Sequence, residues 1–457
     1  MKLKKIIGVV LVGALALGTM SGCKKEPTAG ENATIVTMWS QDTHSKDVVT
    51  KLVADWNETT GKKNGIYLDY QVKDSSSYKT TIDLALQSGE APDFFATDMV
   101  MAAENGYIAS IEELPGGKEF VEKYKEYERE EKTTYKGKWY RVPVSAGPQA
   151  LLYNKDMFKK AGIVDKDGNP TPPETWDEVR EYAKKLTNTK SKKYGIIFPA
   201  KWGGWYGSDL RSPMMSSVGH EGWNPAKGEW DFSGLVPIME AIMGMKQDGS
   251  VYPGAEGLDN DPARALFAEG NIGMKFGFSF DYGVLTDQFP ATCDWGVAPY
   301  PVVDKNSVHK QRTDYGTTYL INKKSLKTAG GEAIMEVLKF FTSDEYVRAM
   351  YTEGMNLPID FEIVKDIEVD DDMKQWKEFA ALSDVSALPP RMPRKDAVIG
   401  LDDAVVFMEE VWSGKITPEE FNKKVSAANN KATKKYYEEA TEENLEDFII
   451  KDYDINR

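Results

Sequence analysis

Cysteine is almost missing from this chain of 457 residues: Cys23 and Cys293 are the only two, too few for a disulfide framework or a Cys-rich metal centre. Histidine is nearly as scarce. His44, His220 and His309 stand far apart, with no His-Glu-x-x-His, His-x-His or cysteine partner, so neither a zinc site nor a Ser-His-Asp triad has sequence support. Gly-x-Ser-x-Gly and Gly-x-x-x-x-Gly-Lys-Ser/Thr are also absent, which removes the main signals of a serine hydrolase and of a nucleotide site. Nothing calls for a cofactor. Positive charge is in deficit, 57 Lys and Arg against 72 Asp and Glu, for a net charge of −15. That balance argues against a nucleic-acid partner, because neutralising phosphates takes clustered Lys and Arg. After the first 22 residues no apolar run is long enough to span a bilayer, and no repeat or low-complexity tract interrupts the chain.

What the chain has in excess is aromatic side chains: 11 Trp, 22 Tyr and 18 Phe. With 41% hydrophobic and 28% charged residues the composition is that of a soluble globular protein, and the length predicts two or three domains or one two-lobed fold. The N-terminus carries an address. Lys2, Lys4 and Lys5 precede an apolar stretch from Ile6 to about Met20, then Ser21-Gly22-Cys23 and a polar run, the pattern of a secretory signal peptide over residues 1–22. Small residues directly before Cys23 look like a bacterial lipobox, making Cys23 the lipidated first residue of an exported protein anchored on the outer face of the cell membrane. Residues 23–32 are too polar to pack and read as a tether.

The mature chain opens with Ala33-Thr34-Ile35-Val36-Thr37-Met38-Trp39, a helical stretch with Val48, Val49, Leu52, Val53 and Trp56, an alternating run from Ile66 to Val72, a second helix and a short apolar run at Pro92 to Ala96. This β-α-β-α-β order predicts a parallel α/β lobe. Ligands in such sheets bind beyond the carboxyl ends of the strands. That rule nominates Trp39, Gln41, Asp42 and His44 after the first strand and Asp98 after the third. Thr175 with Glu178, and Thr417 with Glu420 behind Pro418, are capping boxes that each announce a helix, the second running to about Glu439. Between them Lys201 to Pro225 has neither helical nor strand period and holds Trp202, Trp205, Tyr206 and Trp223 among glycines, which predicts an exposed binding loop. Trp56, Trp176, Trp230 and Trp376 fall where packing explains them. Flat aromatic faces suit sugar rings, whose C–H faces are apolar, while polar side chains such as Asp, Gln and Arg bond the hydroxyls at the edge. Binding of that kind requires no catalysis, although the abundant carboxylates leave a glycoside hydrolase open.

Five stretches, in order, resemble the extracellular solute-binding proteins of bacterial ATP-driven importers, the family that includes maltose- and oligosaccharide-binding proteins. They are Ala91–Phe95 with Glu104–Ile111; Tyr135–Pro143 with Leu152–Gly162 and Pro172–Glu178; Phe267–Met274 with Gly277; Gly296–Pro301; and Gly354–Pro358. The resemblance runs from about residue 33 to 430. It implies an α/β fold of the periplasmic-binding-protein type, two lobes that close on a ligand in the cleft between them. The lobes would comprise residues 33–145 with 302–345, and 146–301 with 346–457, crossing at Ser145–Pro148, near Tyr300–Val303 and near residue 345. It also implies Phe278 or Phe280 at a ring-stacking position, a second aromatic site over Lys201–Tyr206, permease subunits as partners and no enzymatic activity. Tyr315 and Arg391 complete the candidate ligand contacts, with no metal among them. The expectation is a monomeric, lipid-anchored subunit that captures an oligosaccharide; the same fold around a non-sugar solute stays open.

Overall fold

A computed structural model describes residues 30, 32–74, 77–393, 400–439 and 444–456. The signal segment, Cys23 and most of the tether lie outside the described residues. The first lobe is built on a five-stranded sheet in the order Ile66–Val72, Thr34–Ser40, Phe94–Phe95, Leu320–Asn322, Ile108–Ala109. Its first three strands are parallel, joined through the helices Lys46–Trp56 and Tyr78–Ser88. Alternation along the first strand sends Val36 and Met38 into the core, and the helix turns Val49, Val53 and Trp56 onto them. Trp56 meets Phe340 of the helix Gly331–Phe341 at 5.4 Å between ring centroids. It is a core residue, as its helical spacing requires.

The second lobe is organised by one long strand, Pro143–Asn154. Ile272–Phe278, Trp295–Ala298 and Gln311–Thr317 run antiparallel to it, and Tyr194–Ile196 lies parallel to Ile272–Phe278. Both capping boxes close. Glu178 N–H donates to Thr175 Oγ1 at 3.3 Å at the start of Trp176–Leu186, and Glu420 N–H donates to Thr417 Oγ1 at 3.2 Å at the start of Pro418–Glu439.

Three chain segments meet at the junction. Ser145 and Ala146 of the long strand pair on one side with Gly316 and Tyr315, and on the other with Pro358 and Leu357. The later crossings therefore differ from the sequence expectation. Residues 302–317 stay with the second lobe, because Val302 bonds to Glu174 and Trp176, His309 N–H donates to Ser216, and Gln311–Thr317 pairs with the long strand. The helix Asp344–Thr352 stays with the first lobe, where Met350 joins the core of Val36 and Leu338. The chain thus crosses near Thr317–Thr318 and near Gly354–Pro358.

A second difference concerns Lys201–Pro225. This stretch folds into helix from Trp205 onward, wide-turned over Gly207–Arg211 and regular over Ser212–Val218, and stops at Gly219 with φ 82°. It lacks an amphipathic period because it is enclosed on all sides: Leu210, Ser212, Met214 and Met215 are all buried. A helix without a wet face shows no periodicity.

Candidate functional site

Between the lobes lies a cleft of about 1050 Å³. Its first wall forms where the strand Thr34–Ser40 ends. Gln41, Asp42 and His44 follow that strand and line the cleft. Asp42 is held from both directions: its N–H donates to Ser40 Oγ at 3.0 Å, and Tyr319 O–H donates to its Oδ2 at 2.5 Å. Tyr319 also meets Ser40 Oγ at 2.6 Å. Burial pushes the Tyr70 phenol up to about 12 and that of Tyr319 well above its ordinary value. Both remain neutral hydroxyls beside the Asp42 carboxylate.

The opposite wall is aromatic. The buried strand Ile272–Phe278 ends at the cleft and delivers Phe278, followed by Phe280. Their rings stack at 5.0 Å with planes 8° apart, and Trp202 stands edge-on to Phe278 at 6.0 Å. The Trp202 ring lies so close over Gly204 that a Cβ there would fall 2.4 Å from it. Asp281, fully buried, fixes the turn. It accepts from Phe278 N–H at 3.1 Å and pairs with Arg264 at 2.5 Å, and the Arg264 guanidinium lies 5.5 Å from the centre of the Phe280 ring. From the first lobe, His44 reaches the same Phe280 at 5.7 Å. Burial lowers the pKa of His44 below its ordinary value despite the carboxylates of Asp42 and Asp281, which favours the neutral ring at the point where the lobes touch.

Tyr315 lines the cleft from the junction strand. The remaining candidates sit elsewhere. Trp39 is half-buried outside the cleft lining, with Lys73 4.5 Å above its ring. Asp98 caps the helix Met99–Glu104, accepting from Met101 N–H at 2.7 Å. Trp205, Tyr206 and Trp223 are core residues, against the expectation of an exposed loop. Trp205 and Tyr206 pack on Phe407, and Trp223 packs on Trp230 and donates to the Phe448 carbonyl at 3.0 Å. Arg391 covers the Phe448 ring at 4.4 Å, away from the cleft. Sequence reasoning missed Arg264, Asp281 and Tyr319. Arg264 and Tyr319 belong to no motif; for Asp281 the only signal was an acid directly after Phe278-Ser279-Phe280 at the end of an apolar strand.

Among the described residues no group of three or more His, Cys, Asp and Glu is placed to hold a metal ion, and no helix is long and apolar enough to cross a membrane.

Comparison with known proteins agrees with this architecture. Over 337 residues the chain is 25% identical to the maltotriose-binding protein of Pyrococcus abyssi (strain GE5 / Orsay), covering 70% of this chain and 66% of that protein, so it spans just under two thirds of that relative. Among solved structures it resembles the GacH receptor of Streptomyces glaucescens GLA.O, studied unliganded and with acarbose, with a TM-score of 0.67 and 20% identity over 89% of this chain and all of that one. It is also similar to the maltose/maltodextrin-binding domain of Bdellovibrio bacteriovorus bound to maltotriose, with a TM-score of 0.64 and 19% identity over 87% of this chain and 99% of that one. At such identities the likeness carries the fold alone. The family model of bacterial extracellular solute-binding proteins matches residues 43–348, more than half of the chain, and the protein belongs to that family.

Proposed function

We propose that this chain is the substrate-binding subunit of an ABC importer and captures an oligosaccharide between its lobes for delivery to permease subunits, without turning it over. The observation that carries this reading is the aromatic wall of Trp202, Phe278 and Phe280 facing Asp42, Gln41 and Tyr319 across the cleft. Rings on one side bury the apolar faces of sugars, and polar groups on the other bond their hydroxyls. A cleft of about 1050 Å³ has room for more than one ring. The sugar-binding relatives and structures named above support the same ligand class. Two or three stacked rings with a few charge-assisted bonds are compatible with a micromolar dissociation constant, about −8 kcal/mol.

The geometry favours binding over hydrolysis. A glycosidase needs one carboxyl kept protonated in the cleft beside a second that is ionised. Asp209, whose carboxyl is pushed up to about 7 by burial, is enclosed and lines neither the cleft nor its mouth. Asp42, Asp259, Asp261 and Asp314, which do line the cleft, are engaged by Tyr319, the Asn260 N–H, Arg264 and Arg312. Calorimetry of the mature protein against a panel of neutral oligosaccharides tests the reading: single-site binding with no reducing ends released supports it, and product release or a wholly silent panel contradicts it. Lipid anchoring through Cys23 belongs to the same proposal. Cys23→Ala should release the protein from membranes or leave it unprocessed, and unchanged attachment would count against the lipobox.

A further inference from the structure

Beside the cleft, at the junction of the lobes, is a smaller cavity of about 280 Å³ lined by Lys132, Arg141, Arg312, Asp314, Tyr315 and Thr317. It shares Asp314, Tyr315 and Thr317 with the cleft, but its charge is of the opposite sign. The cleft is lined by Asp42, Asp259, Asp261 and Asp314 against Arg264 alone among Lys and Arg; the small cavity has three cations to one carboxylate.

Two of those cations have acid partners. Arg312 forks onto Asp314, with Nε and Nη2 each 2.9 Å from a carboxylate oxygen, and donates Nη1 to Glu221 at 2.5 Å. Lys132 lies 3.6 Å from Asp314. Arg141 differs. Among the described residues no carboxylate stands within ion-pair distance of it, and its hydrogen bond is from Nε to the Lys132 carbonyl at 2.7 Å. Among the described residues its two terminal nitrogens have no acceptor, and the residue lines the cavity. The residue is half-buried, and burial lowers its pKa while the Asp98 carboxylate raises it. A planar guanidinium matches two oxygens of one oxyanion.

We propose that this cavity is an oxyanion site, taking a phosphate, sulfate or carboxylate group between Arg141 and Lys132 on one side and Arg312 on the other. Lys132 and Arg141 flank a hairpin whose Trp139 packs in the first-lobe core, while Arg312 lies on a strand of the second-lobe sheet. An anion held there touches both lobes. The chain's net charge of −15 does not draw anions to the protein, so recognition rests on short-range donors rather than on steering. The group could arrive as a free ion or as an acidic substituent on a sugar in the adjoining cleft; both present the same oxygens to Arg141.

Calorimetry on the full mature protein distinguishes the sources, with inorganic phosphate, sulfate and a uronic-acid-containing oligosaccharide as probes, on the wild type, Arg141→Gln and Lys132→Gln. Lys132 is exposed, so its variant keeps the fold if Arg141→Gln does not. If the site takes a free ion, phosphate or sulfate binds the wild type at one site, and each variant weakens it, Arg141→Gln by roughly tenfold or more. If it takes a substituent, the inorganic ions are silent, and the acidic oligosaccharide binds more tightly than its neutral counterpart until Arg141 or Lys132 is neutralised. Neutral oligosaccharide binding, followed in parallel, reads the cleft independently, and the inorganic arm does not depend on the sugar reading. Anion binding that both variants leave unchanged, or no binding of the ions and no preference for the acidic sugar, overturns the proposal.

Discussion

Trp202 and Trp205 are separated by two glycines and have opposite surroundings. The ring of Trp202 faces the cleft, whereas Trp205 is 3% exposed and wedged against Phe198, Phe407 and Trp412. Removing a core tryptophan costs roughly 3 to 5 kcal/mol of folding stability. Trp205→Ala should therefore melt well below the wild type in calorimetric scans, while Trp202→Ala melts close to it; equal melting points would contradict the assignment. His220 gives a pH test at the same scale. Burial lowers its pKa from the ordinary 6.5 to about 4, and its Nδ1 accepts from Gly222 N–H at 3.3 Å. Between those values the unfolded state binds the extra proton and the folded state does not. Stability should thus fall as the pH drops from about 6.5 to about 4, by roughly 3 kcal/mol from this group. Denaturant unfolding at the two pH values should show a smaller loss for His220→Gln than for the wild type.

Individual elements were readable where their residues have a period or a cap. The first strand, its helix and both capping boxes follow from alternation, from the spacing of Val49, Val53 and Trp56, and from Thr with Glu three residues on. Thr175→Ala should cost about 1 kcal/mol in denaturant unfolding and leave ligand affinity alone, since the helix it starts lies outside the cleft lining. The enclosed helix after Trp205 was not readable, because burial on every side erases the period that marks a helix. Half of the site shares that difficulty. Gln41, Asp42 and His44 could be nominated from the end of a parallel strand, and Phe278 and Phe280 from a resemblance. Arg264 and Tyr319 come from distant segments that only the folded chain brings to Asp281 and Asp42. The crossings of the chain posed the same problem: residues 302–317 carry no composition shift, and it is pairing with Pro143–Asn154 that assigns them to the second lobe.

At the scale of the molecule, two lobes share a three-segment junction at Ser145 and Ala146 and face each other across a cleft with rings on one wall and hydrogen-bonding groups on the other. His44 and Phe280 touch across it, so hinge motion that opens the cleft must part them. Small-angle scattering should report a smaller radius of gyration with a bound oligosaccharide than without; a tightly bound ligand that leaves the radius unchanged would argue against closure. The proposed binding mode stacks sugar rings on the aromatic wall of this cleft. Its most direct test is calorimetry of one bound oligosaccharide against the wild type and Trp202→Ala. Loss of one stacked ring should weaken affinity roughly 5- to 150-fold, on the order of 1 to 3 kcal/mol, with melting temperature little changed. Undiminished affinity in a well-folded Trp202→Ala protein would contradict it.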